Sequence, residues 1–164
     1  MKQLILVRHA KSVPYGYDDD FNRPLADRGE SDAEMLSNQL LKQKLKPDLI
    51  ISSPAMRAKE TARIYAENLD YQQDKIVFNE DIYHGITTHD FIDMLHQLPE
   101  NIDIVFVFGH NPTIYYLANN LVKFFNDDMP TCSTVGISFN IEKWEQLEVR
   151  HGHLDFYLSP RMYK

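Results

Sequence analysis

The 164-residue sequence predicts an α/β fold: a three-layer α/β/α sandwich on a mostly parallel, mixed sheet. Three observations point there. Short apolar runs alternate with segments whose apolar residues recur at helical spacing. The strongest runs are apolar at every position, as strands covered on both faces require. After Pro130 the helical segments stop, and strand-like runs follow one another through short turns. With no repeat and no low-complexity linker, residues 1–164 read as one domain, long enough to bury a core without a disulfide or metal staple.

Leu4-Ile5-Leu6-Val7 is the first strand. A polar loop follows, with Pro14, Gly16, the acidic run Asp18-Asp19-Asp20 and Pro24. Asp27 and Glu30 stand at capping-box spacing and open a helix with the stripe Ala33, Leu36, Leu40 and Leu41. Leu49-Ile50-Ile51 is the second strand, and Ser53-Pro54 reads as a cap with a first-turn proline. The helix behind it carries Ala58, Ala62, Tyr65, Ala66 and Leu69 on one face. Ile76-Val77-Phe78 is a third strand, after which Thr87 and Asp90 cap a helix with the stripe Phe91, Met94, Leu95 and Leu98. Ile104-Val105-Phe106-Val107-Phe108 is the strongest strand and ends at Gly109-His110-Asn111-Pro112, where Asn111-Pro112 repeats the cap-proline signal. Ile114, Leu117, Ala118, Leu121 and Phe125 mark the next helix. Residues 135–141, 146–150 and 154–158 read as strands, with a turn at Gly152.

Composition narrows the function classes. Seventeen basic against 24 acidic residues give a net charge of −7, which argues against nucleic acid or an anionic membrane surface as the main partner. A small anion in a local pocket stays open. One cysteine, Cys132, excludes a disulfide framework and a multi-cysteine zinc site. Lys2 with a four-residue apolar run is too little for a secretory signal, and no stretch has the length of a membrane span, so a cytoplasmic setting is expected. Cys132 lacks the arginine six positions on that a tyrosine-phosphatase nucleophile needs, since position 138 is Ser138. No Gly-x-x-x-x-Gly-Lys loop is present, and the acidic run does not follow a strand as an aspartyl nucleophile would. His151 and His153 flank the Gly152 turn with no third metal ligand in view, and His84, His89 and His96 read as surface or helix residues. Phe124, Phe125, Tyr115 and Tyr116 read as core and helix-face aromatics.

In an open α/β sheet, ligands collect beyond the carboxyl ends of the strands. The first strand delivers Arg8-His9 there, the second Ser52-Ser53 with Arg57 a turn on, and the fourth Gly109-His110. Two arginines and two histidines converging on one edge suit a phosphoryl group. The guanidinium fork matches a tetrahedral oxyanion, imidazole is a nucleophile at neutral pH, and helix amino termini add N–H donors. Set against this, Arg57 could pair with Glu60 on its own helix, and His110 could be a core histidine.

These residues carry a resemblance. Leu6-Val7-Arg8-His9-Ala10-Lys11-Ser12 resembles the Arg-His-Gly signature of the histidine phosphatase (phosphoglycerate mutase-like) superfamily, with Ala10 where glycine is usual. Residues 52–62, from Ser52-Ser53-Pro54 through Arg57 to Thr61, resemble its second block, and Gly109-His110-Asn111-Pro112 its third. Short length, Asn22-Arg23-Pro24-Leu25 and Leu158-Ser159-Pro160 resemble the SixA-like phosphohistidine phosphatase subgroup. The resemblance implies a phosphoglycerate mutase-like fold and a phosphatase that needs no metal or other cofactor. His9 would attack phosphorus and become a phosphohistidine, while Arg8, Arg57 and His110 hold the phosphoryl oxygens. Asn79-Glu80 resembles the family's acid position, which makes Glu80 the candidate acid, with a solvated turn carboxylate as the plainer reading. Arg23 is a candidate substrate contact through the Asn22-Arg23-Pro24-Leu25 match alone.

The subgroup resemblance implies phosphohistidine on a partner protein as substrate. A small phosphomonoester such as a sugar phosphate or nucleotide is the alternative, and a non-catalytic phosphate-recognition module the second. No oligomeric state is legible.

Overall fold

The computed structural model describes residues 1–14 and 19–164, so Gly16 and Asp18 of the first loop lie outside the described residues. The elements run β1 (Lys2–Arg8), α1 (Asp27–Lys42), β2 (Leu49–Ser52), α2 (Met56–Asn68), β3 (Val77–Phe78), α3 (Glu80–His84), α4 (Thr88–His96), β4 (Ile104–Gly109), α5 (Thr113–Leu121), β5 (Thr134–Phe139) and β6 (His153–Leu158). They form one six-stranded sheet in the order β3-β2-β4-β1-β5-β6. The first four strands of the chain pair in parallel, and β5 runs antiparallel to both β1 and β6. This is the mixed, mostly parallel sheet that the sequence predicts.

The all-apolar strands explain the layering. Leu4 and Leu6 of β1, with Val105 and Val107 of β4, pack on Phe91 and Leu95 of α4 and Ile114 and Leu117 of α5. Ile5 and Val7, with Phe106 and Phe108, face the other way onto Leu36 and Leu40 of α1 and Ala62, Tyr65 and Ala66 of α2. Alternate side chains thus feed two cores, and every one of these residues is removed from water. Among the described residues no helix is long and apolar enough to cross a membrane.

Several local expectations give way to tertiary packing. Residues 146–150 form no strand. Trp144 is buried, donates Nε1–H to the Ile102 carbonyl, and ties a 3-10 turn (Trp144–Gln146) against α4 and the approach to β4. Asp27 and Glu30 do not cap α1; Ala26 stands at its N-cap without a side-chain bond, and its N–H is spent on the Lys11 carbonyl. α2 begins at Met56, past Ser53-Pro54, and α5 begins at Thr113 with Pro112 as its cap residue. Thr87 does cap α4, accepting from the Asp90 N–H at 3.1 Å. Leu41 and Phe124 are exposed rather than core residues, whereas Tyr116 is exposed on a face of α5 as its helix-face reading expects. The short helix α3, capped by Asn79, had no signal in the periodicity.

Gly29 shows how closely α1 approaches the strand that carries the site. It is buried, and a Cβ at this position would run into the Lys11 carbonyl, two residues beyond His9. Backbone cannot step aside cheaply. Gly29→Ala therefore lowers stability by roughly 2 kcal/mol or more in urea unfolding, although alanine is the better helix former by about 1 kcal/mol.

Candidate active site

Three strand ends build the site. In the parallel ladders Arg8 lies opposite Gly109, and Ser52 opposite Phe108. The pairing continues just past the strands: the His9 N–H donates to the Gly109 carbonyl and the Ser53 N–H to the Phe108 carbonyl, both at 2.9 Å. His9, Ser53 and His110, far apart in sequence, are thereby fixed side by side. The rings of His9 and His110 lie 5.2 Å apart.

His9 is 7% exposed. Its Nδ1 is 2.8 Å from the Ala10 carbonyl oxygen, which can only accept, so Nδ1 carries the proton and Nε2 the lone pair. Burial lowers the imidazole pKa to about 3, helped by the charges of Arg57 and Arg8 and by His110, and opposed by the Ala10 hydrogen bond. At neutral pH His9 is thus a neutral imidazole held by its backbone. The Ala10 N–H donates to Thr61 Oγ1 at 3.0 Å, and that hydroxyl donates to the Arg57 carbonyl at 2.7 Å, which braces the loop after β1 on α2.

His110 Nε2 stands 2.7 Å from Ser53 Oγ, which also accepts from the Ala55 N–H. The arrangement that uses every Ser53 atom has its hydroxyl donating to Nε2, leaving the His110 proton on Nδ1. Burial, then Arg57, lowers the His110 pKa to about 4, with Asp20 acting in the opposite sense. Arg8 anchors Nη1 on the Met129 carbonyl at 3.0 Å, which Asn111 Nδ2 also reaches at 2.9 Å, so Asn111 holds the neighbouring loop rather than capping α5. Arg57 sends Nη1 to the Asp20 carbonyl oxygen at 2.8 Å and Nη2 to Asp20 Oδ2 at 3.1 Å.

Among the described residues, Arg8 Nε, Arg57 Nε and His110 Nδ1 are buried without a hydrogen-bond partner. Each unmet donor costs on the order of 1–3 kcal/mol, and a tetrahedral oxyanion can relieve all three together. Burial, and then the like charge of Arg57, lowers the Arg8 pKa, the mark of cations crowded where an anion would stabilise them.

The structure brings Arg8, His9, Arg57 and His110 together as the sequence predicts. Arg23 stands one carboxylate away: its Nη1 donates to Ser12 Oγ and the Val13 carbonyl, its Nε and Nη2 to Asp20 Oδ1, and its charge helps depress His110. Glu80 opens α3 with its side chain 77% exposed, and its Oε2 lies 3.8 Å from His84 Nε2. Among the described residues no hydrogen bond joins Glu80 to the four central groups. Sequence reasoning missed Asp20, Tyr83 and the Ser53 hydroxyl as members of this network. Asp20 stands three residues before Arg23, a spacing that could have suggested their pairing. Tyr83, whose hydroxyl reaches Asp20 Oδ2 at 2.9 Å and whose ring meets His110 edge-on at 5.6 Å, left no signal.

A family model, Histidine phosphatase superfamily (branch 1), matches residues 4–83, the stretch holding Arg8, His9, Arg57 and Glu80. The serine/threonine-protein phosphatase Pgam5, mitochondrial, of Drosophila sechellia is 34% identical over 76 residues, 46% of this chain and 26% of that protein. The chain thus spans about a quarter of the length of the curated relatives it matches. The solved structure of the protein histidine phosphatase SixA complexed with tungstate superposes with a TM-score of 0.86 at 21% identity, covering 99% of each chain. A SixA structure from Agrobacterium tumefaciens gives 0.81 at 21% identity over 97% of this chain and 98% of the other.

The depressed imidazole pKa values carry a sign. Both histidines bind a proton less readily folded than unfolded, so their contribution to stability is complete above the ordinary value of 6.5 and is lost as pH falls toward about 4 and then about 3. Ring 15N chemical shifts should show His9 and His110 neutral from pH 8 to about 5, while model imidazoles titrate near 6.5. Midpoints above 6 for both rings would contradict this electrostatic account.

Proposed function

We propose that this chain, whose residues 4–83 match the histidine phosphatase superfamily model, is a metal-independent phosphatase working through a phosphohistidine at His9, with phosphohistidine on a partner protein as its substrate. The observation that carries this reading is the neutral, backbone-oriented His9, set beside Arg8, Arg57 and His110 with their unmet donors. In the first step His9 Nε2 attacks phosphorus as the bond to the leaving group breaks. The leaving group departs with the electron pair and takes up a proton. Water then attacks the phosphorus of phospho-His9, gives its proton to the carboxylate that protonated the leaving group, and the P–Nε2 bond breaks to release phosphate and restore the lone pair. Arg8, Arg57 and His110 donate to the equatorial oxygens in both steps, where the negative charge of the transition state is spread. Two permanent guanidinium charges do the neutralising in this scheme.

Glu80 is the proposed proton donor for the leaving group. Its exposure makes it a modest acid catalyst, which fits a substrate that asks for little: an imidazole leaves more readily than an alkoxide. The names of the relatives, a protein histidine phosphatase and a serine/threonine-protein phosphatase, both describe protein substrates, and tungstate is a tetrahedral oxyanion of the expected shape.

His9→Ala should abolish turnover and the trapping of labelled phosphate on histidine, with unfolding unchanged; a trapped adduct surviving in this variant, or no turnover of any phosphorylated protein or small phosphoester by the wild type, would end the reading. Arg57→Ala should cost on the order of 10²-fold or more in kcat, the scale for removing a preorganised oxyanion donor. Glu80→Gln separates the substrates: a large loss on alkyl phosphates with little loss on phosphohistidine supports the acid role, whereas equal, negligible effects remove Glu80 from the mechanism.

A further inference from the structure

Asp20 lays a carboxylate on the guanidinium that a phosphoryl group would need. Arg57 commits both terminal nitrogens to this residue, Nη1 to the main-chain oxygen at 2.8 Å and Nη2 to Oδ2 at 3.1 Å. The same carboxylate accepts from the Tyr83 hydroxyl at 2.9 Å and from Arg23 Nε and Nη2 at 3.2 and 2.9 Å. One residue thus joins the loop before α1 to α2 and α3. Glu60, one turn further along α2, is occupied elsewhere, its Oε1 accepting the Leu25 N–H at 2.8 Å.

Phosphoryl oxygens and the Asp20 carboxylate seek donors of the same guanidinium, whose Nε has no hydrogen-bond partner while Nη1 and Nη2 bond Asp20. Sharing them would set a carboxylate beside a phosphate in a partly desolvated site, where like charges repel strongly. Of the two partners, Asp20 is the one able to give way: its side chain is 37% exposed and sits in a loop, whereas that of Arg57 is 8% exposed and fixed in a helix. Burial by itself would raise the Asp20 pKa, but hydrogen bonds from Arg23 and Tyr83 and the Arg57 charge hold it at about 2, so the carboxylate is ionised throughout the working pH range.

We propose that Asp20 is a resident counter-anion and positioning residue, which orients Arg57 until the phosphoryl group of the substrate takes its place on the guanidinium. The inference rests on the phosphatase reading and deepens it. Displacing Asp20 costs every phosphoryl ligand the same amount, so the site holds free phosphate weakly, and tight binding requires a phosphoryl group whose carrier contributes contacts of its own. Product release gains as a result. A protein-borne phosphoryl group suits such a site.

The test is calorimetric titration of the full chain with inorganic phosphate at low ionic strength, where surface screening is least. Asp20→Asn removes the charge while keeping a similar shape, and phosphate should bind about tenfold tighter, as loss of a nearby like charge predicts. Asp19→Asn removes the same charge one residue away, from a carboxylate that bonds Asn22 rather than Arg57, and should change the affinity less than about twofold. Asp20→Ala should move the affinity in the same direction as Asp20→Asn, with thermal unfolding confirming that each variant is folded. Unchanged or weaker binding in the Asp20 variants, or equal tightening in Asp19→Asn, overturns the inference while leaving the phosphatase reading intact. Failure of both the wild type and Asp20→Asn to bind phosphate also overturns the inference, while the phosphatase reading stands or falls on turnover and trapping at His9.

Discussion

The parallel pairing of β1 with β4 is the constraint on which the rest of the site depends. Its register sets Arg8 opposite Gly109, and the His9 N–H prolongs the ladder by one bond to the Gly109 carbonyl. Two histidines about a hundred residues apart in sequence therefore stand with ring centroids 5.2 Å apart, a spacing that no flexible loop would hold. β1 and β4 are also buried on both faces, and the histidines just past their carboxyl ends are themselves buried. Burial then does the chemical tuning. It keeps both imidazoles neutral and leaves the Nε donors of Arg8 and Arg57 without hydrogen-bond partners.

The net charge of −7 and the composition of the site pull in opposite directions. The body of the protein is acidic, whereas the sheet edge that holds the candidate site is a positive island of Arg8, Arg57 and Arg23 around two neutral imidazoles. Attraction over distances longer than the Debye length of roughly 8–10 Å is therefore weak, and recognition of an anion depends on contacts at short range. Asp20 belongs to this balance. It gives Arg57 and Arg23 a carboxylate of the protein's own to bond.

Much of this was legible in the sequence because it follows from local pattern. Runs such as Leu4-Ile5-Leu6-Val7, apolar at every position, fit only strands covered on both faces, and that alone implies helices above and below the sheet. Once the strands are known, the sites at their carboxyl ends follow, and Arg8, His9, Arg57 and His110 fall into place. Local signals failed where a side chain had a better partner elsewhere. Ser53 has the look of a helix cap, yet its hydroxyl bonds His110; Asn111 has the same look, yet its amide holds the Met129 carbonyl. Residues 146–150 have strand composition, but the burial of Trp144 outweighs any ladder they could form.

The sequence by itself determined which groups are available at the sheet edge and in what order, since the strand that delivers each is written in its hydrophobic run. Only the tertiary structure decided their states and partners: that His9 is neutral with its lone pair on Nε2, that Glu80 stands out in solvent, and that Asp20 reaches across to Arg57 and Tyr83. The reason is physical. Periodicity records which face of an element is buried, a property of neighbours along the chain. A protonation state or an ion pair is set by the dielectric and the charges within a few ångströms in space, and those come from residues tens of positions away.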